Sequence, residues 1–160
     1  MYVNMKRILM LAMLLTGTIA LQKADAQVRV NVNVNIGSQP VWGPVGYDYV
    51  DYYYLPDIDA YYYVPSRQFI YLEGPRWVWA PSLPPRYRGY DLYHGYKVVV
   101  NEPKPYLHHN TYKVKYAKYK NRHDQVIIRD SRDAKYRVIK GHPDHGKGKK
   151  EKSKGRGHKG

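Results

Sequence analysis

The chain contains no cysteine. That excludes a disulfide framework as the staple of a small exported fold, and it excludes a lipid-modified cysteine at a processing site. The chain has one long apolar run, Ile8 to Leu21. It is shorter than the ~20 residues a spanning helix needs, so no permanent membrane anchor is expected. Strands of ~9 to 11 alternating residues, which an outer-membrane barrel needs, are lacking as well. A G-x-S-x-G elbow, a P-loop and an HExxH pair are all missing, and serine is scarce. Catalysis is therefore the least favoured class of function, and no cofactor or metal is expected.

What is present at the start is a basic pair, Lys6 and Arg7, then the apolar run, then the small-residue site Ala24-Asp25-Ala26. This is the pattern of a secretory signal peptide over residues 1–26, with Met5 as an alternative start. The expectation is a periplasmic or secreted protein whose mature chain begins at Gln27. The net charge of the full sequence, +14, is unevenly placed. Residues 27–75 are slightly acidic and the excess of Lys and Arg follows Arg76, a layout that bears on polyanion or membrane-surface contact and not on fold.

Residues 28–36, VRVNVNVNI, alternate with a period of two until Gly37-Ser38-Gln39-Pro40 interrupts. Asparagine disfavours strands, so residues 27–46 read as an edge strand, an extended arm or a terminal linker. The run from Tyr47 to Trp79 is denser, with aromatic rings at nearly every second position. It parses into strands Tyr52 to Leu55, Ala60 to Val64, Gln68 to Leu72 and Arg76 to Ala80, joined by three- and four-residue loops. Pairing across those loops collects Tyr52, Tyr54, Tyr61, Tyr63, Phe69, Tyr71, Trp77 and Trp79 on one face. The other face takes Tyr53, Tyr62, Val64, Ile70, Leu72 and Val78, because successive side chains point to opposite sides. The proline- and glycine-rich segment after Ala80 reads as an ordered loop, and Tyr96 to Val100 as a further strand.

From Asn110, an acceptable N-cap, Tyr112, Tyr116 and Tyr119 fall at the i, i+4, i+7 spacing of one helical face. Lys113, Lys115, Lys118 and Lys120 lie elsewhere around it. A strand is also expected from Val126. Residues 141–160 are glycine and lysine with hardly any apolar side chain, and read as a disordered basic tail. The expected architecture is α+β: a small antiparallel β-meander of four to five strands with one C-terminal amphipathic helix, over residues 47–140.

The phrases YYYLPDI and LPPRYRGYDL, with IRDSRD near the end, resemble those of a group of small exported Tyr-rich proteins of Gram-negative bacteria, over about residues 47–133. The resemblance implies export and a compact domain, and brings no activity with it.

Several groups could carry chemistry. Asp57 and Asp59 could act as an acid/base pair or bind calcium, although turn formation explains them better. His142 and His145 could hold a metal weakly, but a flexible tail offers no preformed geometry. The aromatic face could stack on sugar rings, or it could simply be core. Lys113, Lys115, Lys118 and Lys120, with Lys147, Lys149, Lys150, Lys152, Lys154 and Arg156 of the tail, could bind an anionic envelope polymer or polysaccharide, with nucleic acid only incidental. Another envelope protein, joined by strand addition, is the competing partner.

Overall fold

A computed structural model of the protein describes residues 34–147. Its centre is a five-stranded antiparallel sheet: β1 (Tyr52–Leu55), β2 (Ala60–Tyr63), β3 (Gln68–Glu73), β4 (Arg76–Ala80) and β5 (Val98–Val100). The spatial order is β4-β3-β2-β1-β5. Four strands thus form the meander, and β5 returns to the free side of β1. One helix, α1 (His109–Lys115), follows. The α+β architecture anticipated above is the one observed.

The β1/β2 register places Tyr52 opposite Tyr63 and Tyr54 opposite Tyr61, as the loop Pro56-Asp57-Ile58-Asp59 predicts. The next two hairpins each differ from expectation by one residue. Tyr63 pairs with Gln68 and Tyr61 with Ile70, because Val64 joins the turn and Arg67 closes it in the left-handed region at φ 56°. Val64 is fully buried and its N–H donates to the Asp51 carbonyl, so it extends the β1/β2 ladder while leaving the β2/β3 one. In the third hairpin Glu73 pairs with Arg76 across only two residues, Gly74 and Pro75. Gly74 stands at φ 60° in the first central position, where a type II′ turn demands a residue without Cβ.

A one-residue slip exchanges the faces of a strand. The first slip moves Phe69 and Tyr71 away from the predicted aromatic face, and the second returns Trp77 and Trp79 to it. The face holding Tyr52, Tyr54, Tyr61, Tyr63, Trp77 and Trp79 also carries Ile70, Leu72, Val98 and Val100. Tyr112 and Tyr116 of the α1 region and Tyr106 cover it. Phe69 and Tyr71 instead join Tyr53, Tyr62, Leu55 and Val64 on the opposite face, under Val50, Trp42 and the 83–92 segment. Two layers of side chains, one on each side of the sheet, make a core that is largely phenolic.

The packed unit extends beyond residues 47–140. Gln39 is buried, accepting from the Tyr53 hydroxyl at 3.0 Å, and Trp42 packs edge-on against Tyr62 with centroids 4.8 Å apart. Gly43 is required here, since a Cβ would lie 2.7 Å from the Tyr53 hydroxyl oxygen. The strand expected from Val126 is a single bridge, Pro44 to Ile127, followed by a 3₁₀ turn at Ile128–Asp130. Ile128, Tyr136 and Ile139 form a third small cluster with Ile36, Val41 and Val45. At the other end His142 is buried and its imidazole bonds the Ser131 carbonyl at 3.1 Å, so the packed structure reaches two residues into the segment expected to be tail. The signal-like segment, the Val/Asn run up to Asn33 and the tail from Gly148 lie outside the described residues.

Candidate anion-binding surface

The eight aromatics expected to share one face do not form an open platform. Tyr52, Tyr54 and Tyr61 are buried beneath the helix, and Phe69 and Tyr71 are buried on the far side. Tyr63, Trp77 and Trp79 remain partly open, and Tyr106 inserts between the two indoles with centroids 5.7 Å from each. Beside them an open groove of about 410 Å³ is lined by Leu72, Trp77, Tyr106, His108, His109 and Thr111. The buried rings are core because aliphatic side chains are few and a small sheet needs a cover on each face.

Polar atoms of these rings are satisfied internally. The Tyr54 hydroxyl donates to Asp59 at 2.8 Å, and Tyr61 lies 3.2 Å from Nδ1 of His109. Burial pushes both phenols far up, and it pushes the His109 imidazole down. Asp59 also receives Lys113 at 2.8 Å. Burial alone would raise its carboxyl; the bonds from Lys113 and Tyr54 outweigh that and hold it below the ordinary value. Asp57 accepts from the Tyr90 hydroxyl at 3.0 Å and from the Asn121 N–H at 2.6 Å. Both aspartates therefore tie the first hairpin turn to later segments. Among the described residues, no group of three or more His, Asp or Glu is placed to hold a metal ion.

The surface with an ordered layout of free charge lies where α1 ends. The helix stops at Lys115 and Ala117–Tyr119 continues as a 3₁₀ turn, which keeps Tyr112, Tyr116 and Tyr119 on one side. Their rings follow one another at 5.9 and 6.2 Å, and Tyr96 stacks on Tyr119 at 4.6 Å with planes 14° apart. Tyr112 is buried and its hydroxyl donates to Glu102; burial, then this bond, raises its pKa. The other three rings are half-buried. Lys115 lies 5.2 Å from the Tyr116 centroid and Lys118 5.2 Å from Tyr119. Arg122 sits 5.2 Å from Tyr96 and 5.6 Å from Tyr119, and its charge is met by the Asp124 carboxylate. Each contact is worth about 0.5–1 kcal/mol at an exposed site, enough to fix long flexible cations over a ring.

Of the cations singled out in the sequence, Lys113 is neutralised by Asp59 and Lys147 by Asp144 at 3.1 Å. Lys115, Lys118 and Lys120 are exposed and make no ion pair with a described residue. Lys149, Lys150, Lys152, Lys154 and Arg156 lie outside the described residues. Tyr96 and Arg122 belong to the surface, yet sequence reasoning passed over both. Tyr96 reads as part of the strand leading into Val100, which begins only at Val98, and nothing local to it points to Tyr119.

Fold and surface together define a small α+β domain with a tyrosine core and a basic tyrosine ladder at one end. The chain matches no protein-family model, no curated protein and no solved structure. Among the described residues, no helix is long and apolar enough to cross a membrane.

Proposed function

We propose that this is an exported, non-catalytic, envelope-associated protein that holds anionic polymers on the ladder of Tyr116, Tyr119 and Tyr96. The single observation that carries the reading is the alternation of half-exposed rings with the cations of Lys115 and Lys118, which make no ion pair with a described residue, while Arg122 is paired with Asp124. A ring offers a flat apolar face to a sugar, and an ammonium beside it meets the carboxylate or phosphate that sugar bears. The Lys-rich segment beyond Gly148 adds sequence-blind attraction of the same sign. The export pattern of residues 1–26, and the resemblance to small exported Tyr-rich proteins, support a location where such polymers are met. Acidic polysaccharide is the ligand and nucleic acid is incidental, since no recognised nucleic-acid fold accompanies these cations among the described residues.

The test is binding of the chain from Gln27 to alginate, a carboxylated polysaccharide, over a range of salt. Affinity should fall steeply with salt. Replacing Lys115, Lys118 and Lys120 together by Gln should weaken binding roughly tenfold, on about 0.5 kcal/mol per exposed charge. Truncation after Lys147 should weaken it further. Binding that ignores salt, or that survives both changes intact, would sink the reading.

A further inference from the structure

The two outer strands of the sheet are treated differently. Beside β5, Lys97 turns its backbone groups outward, and one side chain occupies both: the N–H donates to Gln125 Oε1 at 2.9 Å, and Gln125 Nε2 donates to the carbonyl at 2.8 Å. The amide stands in for a missing strand, and exposed edges are commonly blunted by such devices. The β4 edge has no plug. Its closing pair with β3, Glu73 and Arg76, flanks a two-residue turn, so that pair exchanges hydrogen bonds across the hairpin. Alternation then turns Val78 and Ala80 toward β3 and leaves the N–H and C=O of both Trp77 and Trp79 facing out. No turn, loop or further strand among the described residues bonds these four groups.

The strand is also its own complement. Its centre reads Trp77-Val78-Trp79, the same in either direction. A second copy laid antiparallel about a two-fold axis at Val78 sets Trp77 against the second copy's Trp79, then repeats that pair by symmetry, with Val78 against Val78. The residues brought together as bonded pairs are the ones whose groups face out. Four N–H···O=C bonds form and every free group is satisfied. Charge permits the same register: Arg76, the one charged residue of β4, meets Ala80, so no like charges oppose. Trp79, 39% exposed, gains an indole neighbour on the face where Tyr63 and Tyr106 already contact it.

We infer that β4 is a dimer edge, through which two copies of this chain join into one ten-stranded antiparallel sheet. The interface is short, a five-residue strand of ~17 Å, and falls in the size class of weak, concentration-dependent association. A dimer would carry two tyrosine ladders on one body, raising the avidity for a repeating polymer without any new contact to it. The inference stands on the edge geometry alone and is independent of what the ladder binds.

Sedimentation equilibrium of the chain from Gln27, without polymer, should show a monomer–dimer equilibrium between low micromolar and near-millimolar concentration. Trp79→Lys should remain folded by circular dichroism and sediment as a monomer. Val78→Cys should cross-link to itself under mild oxidation, since directly opposed non-bonded pairs lie ~4.5 Å apart at Cα, within disulfide reach. Ala80→Cys should not, its two copies being four residues out of register, ~13 Å. The chain has no cysteine of its own to confuse the result. A wild-type chain that stays monomeric throughout would overturn the inference, as would Ala80→Cys cross-linking as readily as Val78→Cys. So would a dimer lost on removing residues 27–33 but kept in Trp79→Lys, which would make the Val/Asn run the pairing strand instead.

Discussion

Tyr53, Tyr54 and Tyr61 are at most 1% exposed, and burial raises the pKa of each phenol far above its ordinary value. In the unfolded chain the same groups ionise near pH ~10. Above that pH the unfolded state sheds protons that the folded state keeps, so stability present below pH ~10 is lost as pH rises. Each such group contributes a slope of ~1.36 kcal/mol per pH unit, so three give ~4 kcal/mol per unit. A domain of this length is expected to be stable by about 6–10 kcal/mol, so these three groups alone would unfold it between pH ~11.5 and ~12.5, and the burial-raised phenols of Tyr90 and Tyr112 bring the midpoint lower. Urea unfolding monitored by circular dichroism from pH 7 upward, alongside tyrosinate absorbance, reads both quantities. The buried phenols' share of the tyrosinate absorbance should change together with the circular dichroism in one cooperative transition. Lys97 supplies an internal contrast: burial lowers its ammonium to about 8, while the Leu92 carbonyl accepts from it at 3.0 Å. Its unfolded pKa is higher than its folded one, so stability should rise modestly from pH ~8 toward ~10.4 before the phenols reverse it. Lys97→Met should remove the rise and keep the fall. Smooth ionisation of all the tyrosines near pH ~10 with no loss of structure would refute the buried phenolic core.

Three further perturbations bear on the fold. Gly43→Ala, which puts a methyl against the Tyr53 hydroxyl, should cost about 1–3 kcal/mol in urea unfolding, and the loss should shrink when Tyr53→Phe is added. Arg67→Gly should stabilise by about 0.5–1 kcal/mol, because a left-handed backbone at φ 56° disfavours any side chain. Gln125→Ala should cost about 1–3 kcal/mol through loss of both bonds to Lys97, and should make the protein more prone to self-association at the β5 edge.

Much of the sheet was legible because its signals are local. Tyr, Val and Trp runs bounded by proline, glycine and aspartate fix where strands begin and stop, and the four-residue loop at Pro56–Asp59 fixed the β1/β2 register. The tyrosine spacing of residues 112–119 located the ladder although the helix proper ends at Lys115. The Val126 strand was misread because VIIRD carries a strand composition, yet it finds only the isolated bridge to Pro44. His142 was misread with the tail, since its burial depends on the Ser131 carbonyl eleven residues away.

The sequence alone determined the strands, the aromatic character of the core and the concentration of positive charge behind it, since those depend on residue type and spacing. Tertiary structure decided the register of β3 and β4, and with it which rings are open. A three-residue and a four-residue turn are both compatible with Val64-Pro65-Ser66-Arg67. The choice falls to Val64, which keeps its bond to Asp51 and its place in the core, a contact thirteen residues distant that no local pattern records.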